Sequence, residues 1–368
     1  MQTHVLGVLG LGEGRSILSA ALASTRWRLG NICDLNEDLC RHRRQEFGLS
    51  RSTNRYEDLL EDPDIDTIAI YTPDPLHAPH ILQALAAGKH VICTKPLLED
   101  LKDARAILDA ARASGRKFLV GQSSRWGEPM LRQRDDVLTG KHGELWTAEA
   151  HYHHDHRPYM AHSWAKGGIK WIYCGLSHPL DLVRSYFPDI EEVFGYGAQS
   201  SNSKALGQKG PDLLHFVLRC RSGKIARVSG CYGLPTVVKD AQLTDALPHR
   251  DSLISLILRG DRGTSCADYP ELRYSHNFGE APSATELLEE KRAYYYRFEG
   301  VNNHAGEFQN YLDAFAVELD GGAPARPDLA EGIVTVAIMR AMELSVETGR
   351  PVKVNDVLAS HGLAELAS

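Results

Sequence analysis

Residues 4–122 alternate between two hydrophobic periodicities, and no other feature of the chain narrows its fold as far. Short apolar runs stand at "HVLGVLG", "WRLGNICD", "DTIAIYTP", "KHVICTKP" and "KFLVGQSS". Between them, "GRSILSAALAS", "NEDLCRHRRQEFG", "LHAPHILQALAAG" and "DLKDARAILDAARASG" space their apolar residues along one face of a helix. Several of these end on a glycine suited to a left-handed helix cap. Parallel strands buried on both faces read as continuous apolar runs, and each needs a crossover to reach the next. The alternation therefore predicts βαβ units wound onto both sides of a parallel sheet.

Past residue 123 the pattern changes. Strand-like alternation dominates "ELWTAEAHYHHDH", "EEVFGYGAQ", "DLLHFVLRCRSGKIARVSGCYG" and "DSLISLILRGDRGTSCADY", with a helix at "SHPLDLVRSYF". Two helical segments follow, "HAGEFQNYLDAFAVEL" and "DLAEGIVTVAIMRAMELSVETG". The expected fold is an α/β doubly wound N-terminal domain, residues 1–123, and an α+β domain, residues 124–368, with a large, mainly antiparallel open sheet. The closing helices, about 303–349, are candidates to pack back against the first domain. A sheet with one uncovered face leaves apolar surface that self-association buries, so a homo-oligomer is expected.

A chain of 368 residues, 43% hydrophobic and 24% charged, suits two ordinary soluble domains. Its net charge of −7 argues against a general nucleic-acid or anionic-membrane binder. No apolar run is long enough to span a bilayer, and "MQTHVLGVLG" lacks the basic and apolar regions of a signal peptide. Seven cysteines without a CxxC pair predict reduced thiols in a cytoplasmic protein and no structural zinc.

"VLGVLGLGEGRSIL" sets glycines at 7, 10, 12 and 14 between the first strand and the first helix. Gly10 and Gly12 supply the first two glycines of G-x-G-x-x-G; the third position holds Arg15, with Gly14 one residue early. Asp34 ends the second strand, 22 residues after Gly12, where an acid binds adenosine ribose hydroxyls and repels a 2′-phosphate. A Rossmann domain binding NAD in preference to NADP is the expectation. The alternative role for Asp34 is capping the helix of "LNEDLCRHRR". At "KHVICTKPLLED" the strand Val91-Ile92-Cys93 stops on Thr94-Lys95-Pro96, because proline cannot continue a ladder. Lys95 thus stands at the carboxyl edge of the sheet, where open α/β folds bind ligands, unless it is an ordinary solvated lysine.

The block "YTPDPLHAPHILQALAAGKHVICTKPL" resembles the glucose–fructose oxidoreductase/inositol dehydrogenase (Gfo/Idh/MocA) family. "GVLGLGEGRS", "GELWTAEAHYHHDH", "GLSHPLDLVRSY" and the stretch from "NNHAGEFQNYLDAF" to "AMELSVETGRPVKV" extend the resemblance over nearly the whole chain. It implies an NAD-dependent oxidoreductase acting on a secondary hydroxyl of a sugar, glycoside or cyclic polyol, built as dimers or tetramers. It further implies cofactor contacts from Gly10, Gly12, Glu13, Gly14, Arg15, Ser16, Asp34, Thr72, Pro73, His77, Thr94, Lys95 and Gln122. The family's Glu-Lys-Pro stands here as Thr94-Lys95-Pro96, so Lys95 resembles the active-site lysine. The family also places an aspartate four residues before a histidine; here Cys174 holds the first position and His178 the second. That departure weakens any lysine–aspartate–histidine relay and leaves His178 as the acid/base candidate, against the bland role of a histidine satisfied by backbone. Two alternatives stay open: transient oxidation that permits glycoside cleavage before the hydride returns, and a non-catalytic NAD-binding sensor.

"AHYHHDHRPYMAHSW" is dense in imidazoles. If it is a strand, His151, His153 and Asp155 share one side and Tyr152, His154 and His156 the other. His153 and Asp155 are the expected substrate contacts, with His154 as the opposite-face alternative. Arg125, Trp126, Tyr173 and Cys174 join Lys95 and His178 as further substrate-binding candidates. No metal is expected, since hydride transfer to a nicotinamide needs none.

Overall fold

The computed structural model describes residues 3–160, 165, 168–235, 253–269, 271–279, 282–289, 296–297, 303–304 and 306–367. They fall into two compact units. One takes residues up to 123 with 296 and those between 304 and 336; the other takes those between 124 and 289 with 297, 303 and 337–367.

The first unit begins β1 (His4–Leu9), α1 (Arg15–Ala23), β2 (Trp27–Cys33), α2 (Glu37–Glu46) and α3 (Glu57–Leu60). It continues β3 (Thr67–Ile70), α4 (His77–Ala86), β4 (His90–Thr94), α5 (Ala104–Ser114) and β5 (Phe118–Gly121). All five expected strands form one parallel sheet in the order β2-β1-β3-β4-β5. β1, β3 and β5 are buried along their whole length, which explains their unbroken apolar sequence. Outside β2, Thr53 makes a lone parallel bridge with Cys33, where a further strand would lie. The order reverses between β1 and β3, and such a reversal opens a crevice at the strands' carboxyl ends.

The second unit opens with a 3₁₀ turn through Trp126, then α6 (Glu128–Leu138), β6 (Leu145–His153), α7 (Trp171–Cys174), α8 (Ser177–Arg184), β7 (Ile190–Ala198) and α9 (Ser201–Ala205). β8 (Leu213–Cys220), β9 (Ile225–Cys231), β10 (Ile254–Gly260), β11 (Thr264–Tyr269), β12 (Arg273–Asn277) and β13 (Ala284–Leu287) follow. The sheet runs β13-β12-β11-β10-β6-β9-β8-β7, with Val352–Lys353 pairing outside β7. Only β6 and β9 pair in parallel among these neighbours.

Register explains the two faces. One row across the sheet, Gly195–Phe216–Val228–Ala150–Leu256–Ala267–Tyr274, is buried at every position. The row one residue away, Phe194–Val217–Arg227–Glu149–Ile257–Cys266–Ser275, has no buried member. α8 packs on β6, β9 and β10, and α6 packs on β11 and β12.

α10 (Glu307–Leu319) lies beside α1 in the first unit. Trp27 of β2 donates from Nε1 to Leu312 O at 2.8 Å and stacks on Phe315, while Ser24 reaches Asp313 at 2.5 Å. α11 (Leu329–Thr348) contributes its first residues to this unit and its later ones to the other, where Gly195 N–H donates to Ser345 Oγ at 3.1 Å. α12 (Val354–Ser360) packs on β7. Among the described residues no helix is long and apolar enough to cross a membrane.

Candidate active site

The loop between β1 and α1 uses its glycines for different purposes. Gly10 has φ +88°, and a Cβ there would lie 2.5 Å from Tyr71 O. A Cβ on Gly14, at the start of α1, would lie 2.0 Å from Gly10 O. Gly12 would meet nothing within 4 Å. Two glycines thus close the turn and one opens the backbone to space, as a pyrophosphate at a helix N-terminus requires. The amides of Gly12, Glu13 and Gly14 donate to no described residue. Ser16, in the first turn of α1, is buried with its hydroxyl unpartnered. Arg15 begins the helix, its guanidinium paired with Glu46.

Asp34 follows β2 and accepts the Leu11 N–H on Oδ2 at 2.8 Å and the Asn36 N–H on Oδ1 at 2.9 Å. Asn36, not Asp34, caps α2, accepting from the amides of Asp38 and Leu39. Asp34 instead ties the second strand to the glycine loop. Arg43 grips the same loop from α2, donating Nε to Leu11 O at 3.1 Å and pairing with Glu46 at 2.6 Å. Burial acts to raise the Glu46 pKa, yet its bonds to Arg43 and Arg15 carry it below the ordinary value.

At the other strand exits, β4 ends on Thr94, which pairs with Gly121. The Lys95–Pro96 peptide is cis, and Pro96, Leu97 and Leu98 are buried while Lys95 is half-buried. Thr72 follows β3, its hydroxyl 3.0 Å from His80 Nδ1, and Pro73 leads into a short 3₁₀ turn. The His77 ring is fully buried, with Nδ1 3.0 Å from Pro96 O and Nε2 2.9 Å from Thr72 O. Both nitrogens face backbone carbonyls, so His77 joins the β3 and β4 exits. Gln122, just past β5, is 3% exposed, and its buried Oε1 has no hydrogen-bond partner.

His178 is the second residue of α8. Its Nδ1 lies 2.6 Å from Ser124 Oγ. Close by along the helix, Asp181 takes Arg125 in a two-pronged bond, Nε to Oδ2 and Nη2 to Oδ1, each 2.6 Å. Asp181 is 1% exposed, so the pair is buried and anchors Arg125 to α8. Trp126 lies under the Arg134 guanidinium of α6, 5.9 Å away.

The histidine run also departs from expectation. β6 ends at His153, so Asp155 falls outside the strand alternation; its carboxylate grips Arg157 at 2.7 and 2.6 Å, and that bond lowers its pKa. His153 shares the parity of Glu149, on the sheet face turned away from α8, which removes it from the surroundings of His178. Tyr152, on the covered parity, stands edge-on to His178 with centroids 5.6 Å apart and contacts Trp171 at 5.1 Å. His154 is buried, its Nδ1 3.3 Å from His156 Nε2, and His156 sits edge-on to Trp171. Tyr173 donates its hydroxyl to Glu343 of α11 at 3.0 Å. Cys174 ends α7, and all seven cysteines are free thiols. Among the described residues no three metal-donor side chains are grouped.

With this geometry in view, residues 4–122 match a family model described as "Oxidoreductase family, NAD-binding Rossmann fold". Residues 134–354 match its companion, "Oxidoreductase family, C-terminal alpha/beta domain". The chain belongs to the Gfo/Idh/MocA oxidoreductase family. Myo-inositol 2-dehydrogenase of Thermotoga maritima is 22% identical over 357 residues, covering 96% of this chain and 99% of that protein. 1,5-Anhydro-D-fructose reductase of Ensifer adhaerens is 31% identical over 189 residues, 50% of this chain and 55% of the reductase. In matches of that kind the chain spans about half the length of its curated relatives. A solved levoglucosan dehydrogenase, in complex with NADH and levoglucosan, shares the fold with a TM-score of 0.78 at 20% identity, covering 96% of this chain and 100% of that one.

The residues of this Gfo/Idh/MocA member fit an NAD. The open backbone at Gly12, the available amides at α1, the Asp34 carboxylate beside the loop and the orphan Gln122 Oε1 all lie at carboxyl ends of the parallel strands. A bound nicotinamide supplies the hydride acceptor. Ser124, Tyr152, Trp171 and Asp181 were missed by sequence reasoning. Tyr152 alone had a usable signal: Ala148 and Ala150, small apolar residues of one parity, mark the face of β6 that packs on α8.

Proposed function

We propose that this chain is an NAD-dependent dehydrogenase that oxidises a secondary hydroxyl of a sugar, glycoside or cyclic polyol, with Lys95 and His178 at the reaction centre. Residues 1–123 form the cofactor domain and 124–368 the substrate and oligomerisation domain. The observation that carries this reading is the seat of His178, a helix-borne imidazole held by Ser124 and backed by Tyr152. With a nicotinamide bound to accept hydride, His178 would take the hydroxyl proton and Lys95 would steady the developing alkoxide. The relatives named for inositol, anhydrofructose and levoglucosan support a ring-hydroxyl substrate class. Asp34, with Arg15 and Arg43 both drawn onto Glu46, supports NAD over NADP. Seven free thiols suit the cytoplasm, and the uncovered sheet face suits a homo-oligomer.

Transient oxidation followed by glycoside cleavage is a second reading, favoured by Thr94 and Cys174 standing where the family has acids. Purified protein with NAD, screened against inositols, anhydro-sugars, free sugars and glycosides, tests both. NADH accumulating with product supports net oxidation, and product without NADH supports the transient route. Ligand-dependent NAD binding without any product would leave a sensor and overturn the proposal. On the substrate found, His178→Ala should lower kcat by about 10²–10⁴-fold with NAD affinity kept. Wild-type kcat in folded Lys95→Ala would remove that lysine from the mechanism.

A further inference from the structure

We propose that Ser124 is a positioning residue for the proton-transfer histidine: its hydroxyl accepts a hydrogen bond from Nδ1–H of His178 and keeps Nε2 as the nitrogen that exchanges the substrate proton. The inference rests on the reading of His178 as the acid/base group. Ser124 Oγ is 2.6 Å from Nδ1, and Ser124 is 3% exposed, so water does not substitute freely for the imidazole. The contact joins residues 54 positions apart and is held at a second point. The adjacent Arg125 is locked onto Asp181, three residues beyond His178 on α8, so turn and helix keep their register. Tyr152, edge-on to the ring, restricts its swing from another side.

The proton cycle explains why an acceptor belongs at Nδ1. As a neutral base the ring needs a bare Nε2, which puts its single hydrogen on Nδ1. After taking the substrate proton it is an imidazolium with hydrogen on both nitrogens. Nδ1 therefore carries hydrogen before and after transfer, and an oxygen acceptor there serves both states. At the ring only the Nε2–H bond forms, as the substrate O–H bond breaks and its electron pair becomes the carbonyl π bond; the C–H pair would leave as hydride to a bound nicotinamide, and the Ser124 proton stays on its oxygen. Cys174 stands where the family pattern has an aspartate, a carboxylate that can only accept when ionised. The serine brings an oxygen to the histidine from another part of the chain.

The direct test is long-range ¹H–¹⁵N correlation of histidine-labelled protein at a pH where the ring is neutral, with the resonance assigned by its loss in His178→Gln. Wild type and Ser124→Thr should show hydrogen on Nδ1 and a bare Nε2, whereas Ser124→Ala should move population to the Nε2–H tautomer. On the substrate found by screening, Ser124→Ala should lower kcat about tenfold with NAD affinity unchanged, and Ser124→Thr should recover most of it. An Nε2–H ring in wild type, or unaltered tautomer and kcat in Ser124→Ala, overturns the proposal. Full activity in His178→Gln would instead overturn the acid/base reading on which it rests, while the tautomer spectra still report whether Ser124 sets the ring.

Discussion

Asp34 ties the second strand to the glycine loop, and we propose that the same carboxylate selects the cofactor. Its two oxygens already hold the Leu11 and Asn36 amides, which keeps the carboxylate beside the loop. Each oxygen retains a lone pair for a ribose hydroxyl. Asp34→Ala should therefore lower kcat/KM for NAD more than for NADP, narrowing the preference by about tenfold or more. Measuring kcat/KM with both cofactors checks this; an unchanged ratio in the folded variant would remove Asp34 as the determinant. The glycines and Asp34 were legible because their spacing serves one backbone turn. Arg125 was not, because the buried Asp181 that claims it lies 56 positions away in sequence. His153 was preferred over the other parity because imidazole chemistry drew attention away from Ala148 and Ala150, the plain residues that say which face is packed.

Among the elements, hydrophobic period marked the five strands of the first unit and the longest helices, but the segments it marked leave out α6, α12, β12 and β13. The covered residues of α6 include Glu128, Gln133 and Asp136. Gln133 donates from Nε2 to Leu256 O and Ser265 Oγ while its buried Oε1 has no partner, and Asp136 accepts from Tyr274 and Lys141, so this helix buries polar groups on hydrogen bonds that no apolar pattern reveals. The β11–β12 turn carries a related group. Burial pushes the Glu271 carboxyl up to about 7, and its Oε1 accepts the Leu253 N–H at 3.1 Å. A folded-state pKa above the ordinary value means the native protein keeps a proton that the unfolded chain has released. Its stabilisation is complete below the unfolded pKa and is lost as pH rises through about 7. The loss is on the order of 3 kcal/mol at most. Glu271→Gln, neutral at every pH, should flatten the fall in Tm between about pH 5 and 8 relative to wild type. Parallel Tm curves for the two proteins would show that Glu271 does not carry this dependence.

For the molecule as a whole, strand alternation foretold an uncovered sheet face but not how many copies meet on it, since register within one chain carries no subunit count. The bare face is apolar towards one side: Tyr196 is 68%, Val217 52% and Ile225 53% exposed, with Phe194 paired beside Val217. Towards the middle, Glu149 already pairs with Arg227 and Arg259 of its neighbouring strands. Those charges are compensated within the chain, so a second sheet laid over them meets paired ions rather than bare ones. Sheets stack about 10 Å apart, and a two-fold axis through the face would set the apolar strip of one copy against its partner. The wild-type protein should therefore sediment as a dimer or tetramer. Val217→Asp places a charge that must be desolvated on closure, and it should shift the population to smaller species with an unchanged circular dichroism spectrum. Sedimentation velocity across a concentration series is the check. A wild-type monomer at every concentration would sink the assembly, and an unshifted variant would move the contact off this face.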